Sequence, residues 1–216
     1  AASGSSGVLG TVLAGAASAA LYAGGMALND HADRDVDAVE RPTRPIPSGR
    51  VLAATAFAIG EGLQVAGIAL AGASGGRRGA ARAAVVSAAV HNYDYVAKRV
   101  GGTVAAASMA GCRAADVLLG ATSVRAGLPS AAVIGAHTFA ITKVSQHEVE
   151  GGSPAAARAA LAVCGCVTTA ALAVTARRAR KDPWSALVGA APLVVYAVPF
   201  ARAARRASQE PTPANN

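Results

Sequence analysis

The sequence predicts an all-α, polytopic transmembrane bundle of about seven helices. Three observations carry that prediction. Apolar segments near the length that crosses a bilayer recur along the whole of the 216-residue chain. Charged residues make up only 15%, where a soluble domain carries about a quarter. Gly, Ala and Ser recur in every segment, as helices that pack closely in lipid require. With 53% hydrophobic residues but only 4% aromatics, the mean hydropathy of +0.38 is spread thinly over many small side chains.

The predicted helices fall at about 7–28, 52–73, 80–97, 103–121, 128–146, 155–176 and 184–204. Their separations are marked by residues that interrupt helices. Gly75, Gly76, Arg77 and Arg78 part the second from the third, and Gly101 with Gly102 part the third from the fourth. Gly127 and Pro129 mark the fifth start, Gly151 to Pro154 the sixth, and Lys181, Asp182 and Pro183 the last. The polar, proline-bearing stretch 208–216 reads as a disordered tail, and 1–207 as one domain.

The net charge of +8 raises nucleic acid as a partner. The basic residues are dispersed between apolar segments and show no aromatic platform, so no nucleic-acid partner is expected. Basic loops beside a lipid bilayer fit better. With seven spans, a slight excess of Lys and Arg falls on the side that also holds the polar motifs, which places that side in the cytoplasm. Cys112, Cys164 and Cys166 lie in apolar segments, without disulfide or zinc-like spacing. The start of the chain has no charged region and cleavage site of signal type.

The first polar constellation is NDHADRDVDAVERPTRPIPSGR, Asn29 to Arg50. Asn29, Asp33 and Asp37 are four residues apart and share a helix face, which Asp30 can join. Oxygen-bearing side chains so placed repel one another unless a cation neutralises them. Mg²⁺ suits the face, because it takes few carboxylates and leaves room for substrate phosphates. Arg41, Arg44 and Arg50 follow, interleaved with Pro42, Pro45 and Pro47, which are expected to end the helix and hold the segment extended. Their guanidinium groups suit phosphate oxygens.

This run resembles the first aspartate-rich motif of the UbiA superfamily of intramembrane prenyltransferases, N-x-x-x-D-x-x-x-D followed by an R-x-R-P-x-P-S-G-like loop. LYAGGMALND and ERPTRPIPSGR look most like its EboC-type branch. The resemblance implies a UbiA-type helical bundle, a prenyl diphosphate substrate and an acceptor it does not specify. It also implies Mg²⁺ at Asp30, Asp33 and Asp37, and Arg41 and Arg44 on the diphosphate. The family normally has a further helix before the motif-bearing one, so the chain is expected to be a fragment.

A second constellation, HNYDYVAKR from His91 to Arg99, is similar to the family's Y-D-x-x-x-K signature. Tyr93, Asp94 and Lys98 match it, which implies Lys98 as a diphosphate ligand with Tyr93 and Asp94 beside it. The alternative is an interfacial belt of Tyr with a snorkelling Lys. The third, HEVEGG, stands where the family has D-x-x-x-D. Glu148 takes the first position, Gly152 the second, and Glu150 lies between. Glu148 is the implied ligand for a second Mg²⁺; a solvated acidic loop is the alternative. Arg113 and Asp116 interrupt the fourth segment and are expected to pair and face the bundle interior. Arg113 matches a C-R-x-x-N-like family segment, with Asp116 in place of the amide, and is a substrate-binding candidate. Glu61 and Gln64 read as interhelical hydrogen-bonding groups, and His31 and His137 as structural.

Two functions are therefore expected. In the first, Asp33, Asp37 and Lys98 are the catalytic centre of a Mg²⁺-dependent prenyltransferase in a bacterial-type inner membrane. In the second, a non-catalytic EboC-like protein binds or moves an isoprenoid precursor. A soluble helical protein is disfavoured, because too little charge is present to solvate so many helices.

Overall fold

The computed structural model describes residues 7–149 continuously, with further helical positions at 159, 162–163, 165–169, 173 and 202. Contacts divide the chain into two compact units, Ala1–Ile134 and Gly135–Asn216. Every described element is helical. The helices expected at 155–176 and 184–204, Glu150, Gly152 and the tail lie outside the continuous described stretch.

Helix α1 runs from Val8 to Glu40, so the apolar segment and the aspartate stripe are one continuous helix. It stops because Pro42 disfavours helical geometry at the residue before it. Arg41 accordingly leaves the helix at φ −141° and ψ 61°, its N–H still donating to the Asp37 carbonyl at 2.8 Å. The loop that follows is not extended, contrary to expectation. It folds into successive turns, closed by Arg44 N–H to Arg41 O, Ser48 N–H to Arg44 O and Gly49 N–H to Ile46 O, each at 3.0 Å. Proline fixes φ near −65°, which serves a turn as readily as an extended chain. Gly49, at φ +76°, takes the left-handed position of the last turn.

Helical hydrogen bonding spans α2, Ala53–Asn92, but Gly75 (φ −122°, ψ 16°) and Gly76 (φ 60°, ψ −153°) are not helical. The chain reverses there. Glu61 reaches His91 at 2.7 Å, and a Cβ placed on Gly79 would fall on the Ala71 carbonyl. The element is a hairpin of two antiparallel arms, 53–74 and 77–92, as the separate apolar segments predicted. The second arm continues through a π-helical turn, Tyr93–Ala97, into the short α3, Lys98–Val100. Gly101 and Gly102, both at positive φ, break the chain before α4, Gly102–Leu119. Helix α5 covers Val124–Val149 and starts earlier than Gly127 and Pro129 suggested. Ser123 supplies the start, its Oγ accepting the Ala126 N–H at 3.2 Å.

The first arm of α2 lies antiparallel to α1 at very close range. A Cβ on Gly24 would sit 2.9 Å from the Gly60 carbonyl, and one on Gly67 would sit 2.6 Å from Leu21 Cγ. Gln64, buried in this seam, donates from Nε2 to the Leu21 carbonyl at 2.9 Å, the interhelical bond expected of it. The second arm runs parallel to α1 on another face, and α4 completes the group. Many buried positions are filled by small residues such as Ala17, Ala71 and Ala83, each 1% exposed or less, with Leu21 and Leu28 the large apolar exceptions, whereas Val12, Val65 and Val85 are at least 60% exposed. Large apolar side chains outside and small ones inside is the pattern of helices that pack closely in lipid.

Candidate functional site

Three elements build one site. Helix α1 contributes the stripe Asn29, Asp30, Asp33 and Asp37. The turn loop folds back over it with Arg41 and Arg44. The π-helical turn brings Asp94 and Lys98 alongside. An inserted residue in that turn lets the Lys98 N–H reach back to the Tyr93 carbonyl, and such bulges recur where side chains must be re-aimed at functional sites.

The stripe is neutralised by the protein's own cations. Arg44 Nη1 lies 2.7 Å from Asp30 Oδ1 and 3.8 Å from Asp37 Oδ2. Arg41 stands 3.9 Å from Asp37, whose side chain is nearly fully buried. Lys98 is ion-paired with Asp33 and stands 4.0 Å from Asp94. Asn29 donates to Asp94 Oδ1 at 2.9 Å, tying α1 to the π-helical turn. Asp35 points away from all of this, largely exposed and paired with its neighbour Arg34. Arg50, grouped in sequence with the phosphate-facing arginines, instead pins the loop through the Thr43 carbonyl at 2.6 Å and Ser48 Oγ at 3.0 Å.

Beneath the charged rim opens a cavity of about 320 Å³ between α1, the second arm of α2 and α4. Asn29, Asp30, Arg44, Tyr93 and Asp94 form its mouth. Leu21, Met26, Val86, Val90 and Met109 form its walls. At the deep end Arg113 stacks its guanidinium 4.5 Å from the Tyr22 ring centroid. The expected Arg113–Asp116 pair does not form. Asp116 instead takes the Ser18 hydroxyl at 2.8 and 3.0 Å, because α4 turns the two charged residues toward different neighbours on α1.

Of the site residues read from the sequence, Asn29, Asp30, Arg44, Tyr93, Asp94 and Arg113 line this cavity, while Asp33, Asp37, Arg41 and Lys98 lie outside its lining and join the group through ion pairs. Glu148 belongs to the other compact unit, and its side chain is not among those described. Among the described residues, no three of His, Cys, Asp and Glu form a ready ligand cluster. The carboxylates are offered singly along one edge, each with a basic partner.

Sequence reasoning missed three contacts. His91 joins Glu61 across the hairpin, and its Nδ1 donates to the Ser87 carbonyl at 2.8 Å. Glu61 lies fifteen residues before Gly76 and His91 fifteen after, so the hairpin symmetry was a usable signal. His31 meets the Tyr95 hydroxyl at 3.1 Å. Ser18 had no signal in one sequence, being one small residue among many.

The chain matches the UbiA prenyltransferase family over residues 1–209, and it belongs to that family. Its fold is the polytopic helical membrane bundle of that family. It is similar to the digeranylgeranylglyceryl phosphate synthase of Methanopyrus kandleri, 50% identical over 62 residues, which is 26% of this chain and 23% of the relative. The enzyme of the same name from Methanothrix thermoacetophila is 51% identical over 49 residues, 23% of this chain and 18% of the relative. That from Ignicoccus hospitalis is 56% identical over 39 residues, 18% of this chain and 13% of the relative. The matches therefore span less than a quarter of each relative's length. No solved structure matches the chain.

Proposed function

We infer that the chain is a Mg²⁺-dependent intramembrane prenyltransferase, with its mouth on the cytoplasmic side of a bacterial-type inner membrane. The observation that carries this reading is a row of carboxylate–base pairs on the rim of an apolar cavity. Mg²⁺ commonly takes one or two protein carboxylates and completes its shell with water and substrate phosphate. Asp30, Asp33 and Asp37, presented singly, fit that demand better than they would a closed protein cage. The bound ion would supply charge neutralisation of the diphosphate.

The chain's own groups have defined parts. Arg44, Arg41 and Lys98 now rest on carboxylates and are within side-chain reach of an anion placed at the mouth. On diphosphate binding they exchange a carboxylate for phosphate oxygens, so that positive charge stands where the leaving group develops. Asn29 holds Asp94, and Asp94 keeps Lys98 aimed across the gap. The C1–oxygen bond breaks, diphosphate keeps the electron pair, and the allylic cation is left among apolar walls that exclude water. The Tyr93 ring at the mouth offers a π-face to that cation. The acceptor then bonds to C1 and gives up a proton.

The relatives' names carry a glyceryl phosphate, which makes a glycerol-phosphate hydroxyl one acceptor to test beside an aromatic ring. The decisive experiment incubates purified membranes with labelled geranylgeranyl diphosphate, Mg²⁺ and each acceptor, scoring diphosphate release and lipid-soluble product. Product that disappears with EDTA and returns with Mg²⁺ is the expected result. Tight Mg²⁺-dependent binding without release would replace this reading with the EboC-like carrier.

A further inference from the structure

A cluster of polar and aromatic side chains takes no part in the cavity or in the ion pairs at its rim. It joins Phe57 and Glu61 on the first arm of α2, His31 on α1, Tyr95 in the π-helical turn and His91 on the second arm of α2. None of the five lines the cavity. Together they form a closed ring of contacts. Phe57 lies against His31, with ring centroids 5.0 Å apart. His31 Nδ1 meets the Tyr95 hydroxyl at 3.1 Å. The Tyr95 and His91 rings follow, with centroids 6.2 Å apart. His91 Nε2 reaches Glu61 at 2.7 Å, and Glu61 stands one helical turn from Phe57, where the ring began. The other ring nitrogen of His91 is held as well, by the Ser87 carbonyl at 2.8 Å.

This ring meets the rim of the site at the π-helical turn. Asp94 and Tyr95 are consecutive residues, yet they grip α1 on two sides. Asp94 accepts the Asn29 amide at 2.9 Å on the cavity side, and Tyr95 meets His31 on the side away from it. On α1 these two partners are two residues apart, which is about 200° around the helix. A single contact leaves a turn free to roll about it; two contacts astride a helix do not. Lys98, three residues past Tyr95, is ion-paired with Asp33, on the same face of α1 as Asn29. A roll of the turn would carry Lys98 away from Asp33 and from an anion at the mouth. A π-helical turn is a rare geometry, so its surroundings must hold it.

We propose that His31 and Tyr95 are positioning residues for Lys98, acting through the π-helical turn from the face opposite the cavity. Neither touches the substrate. They set where the Lys98 ammonium stands before the diphosphate arrives, and so how well it meets the charge that develops on the leaving oxygen. The catalytic consequence rests on the prenyltransferase reading. The placement of Lys98 is measured without turnover.

The test uses the full chain in lipid nanodiscs and reads Lys98 by competitive acylation with a water-soluble succinimidyl ester, located by peptide mass spectrometry. Lys143 is the internal reference. An ammonium paired with a carboxylate holds its proton and acylates slowly, and Asp33→Asn sets the rate of a released Lys98. Tyr95→Phe keeps the ring and removes the hydroxyl; it should raise Lys98 acylation about threefold, toward that released rate. His31→Leu should do the same. His31→Asn, which keeps a polar atom at the Nδ1 position, should restore the slow rate. Maleimide labelling of Cys112, buried on α4, should stay slow throughout. In transfer assays Tyr95→Phe should lower kcat about tenfold and leave KM for the prenyl diphosphate within about twofold, the signature of a misplaced charge-stabilising group. The proposal is overturned if Lys98 acylates at the wild-type rate in both Tyr95→Phe and His31→Leu, or if His31→Asn is no slower than His31→Leu. It is equally overturned if Cys112 becomes reactive in step with Lys98, which would report a loosened bundle rather than a displaced turn, or if Tyr95→Phe transfers at the wild-type rate. The expected acylation pattern in a chain that transfers no prenyl group would instead count against the enzymatic reading alone.

Discussion

Asp33 and Lys98 come from segments 65 residues apart and form one ion pair, with Asp94 and Asn29 behind it. A pair so supported should behave as a unit. Lys98→Met is expected to lower prenyl transfer by about 10²–10³, the loss typical of removing one preorganised charge-stabilising group. Combining it with Asp33→Asn should add less than the two losses taken separately, as a double-mutant cycle on transfer rate would show. Full additivity would mean the two side chains act independently. Along the stripe, Asp33→Ala or Asp37→Ala should abolish Mg²⁺-dependent binding of prenyl diphosphate, while Asp35→Ala should leave it nearly intact, because Asp35 faces solvent with Arg34. Equal loss at all three positions in a binding assay would reduce the stripe to a charged helix end. The four-residue spacing of Asn29, Asp33 and Asp37 made this face legible from sequence, since helical period alone fixes it. The identity of each base's partner was not legible, because that depends on how a turn loop folds and where a π-helical residue is inserted. Arg50 shows the difference. Its spacing matches its neighbours, yet it holds the loop together.

The α1–α2 seam depends on the absence of side chains. Gly67→Leu or Gly60→Val would drive carbon atoms into Leu21 or Leu28, where overpacking costs about 1–3 kcal/mol or forces the helices apart. Thermal unfolding in detergent should show both variants destabilised, whereas Gly62→Ala, which meets open space, should be tolerated. A tolerated Gly67→Leu would rule out the close approach. At α5, Ser123→Ala should cost about 1 kcal/mol through the lost cap, measured in the same way. The segment breaks at Gly75–Gly76 and Gly101–Gly102 were legible because Gly76, Gly101 and Gly102 take positive φ, which only glycine adopts freely. The true start of α5 was not read, because Pro129 is the louder signal, yet it stands inside the helix, past its first turn. The loop after α1 was misread for a related reason: proline fixes one angle and leaves the other to its surroundings.

At the scale of the whole molecule, the described residues put many large apolar side chains outside and pack alanines and glycines closely inside, which calls for a lipid surround. Alkaline carbonate and high salt should leave the protein in the membrane pellet, and only detergent should release it; release by salt would remove the bilayer from the account. Composition made this scale the most legible, because it asks only which side chains are plentiful. The continuity of α1 has its own consequence. Its apolar part, residues 8–28, is about 32 Å long at 1.5 Å per residue, close to the hydrocarbon thickness of about 30 Å. The helix then continues without a break to Glu40. With residues 8–28 spanning the hydrocarbon, the carboxylates would ride above it, at the height of the phospholipid headgroups. The lipid diphosphate proposed above as substrate would then meet them by drifting sideways within its own leaflet, its charges staying hydrated and only its tail dipping inward. The work of dragging a multiply charged group into oil never arises, because the helix carries the site out to the charge.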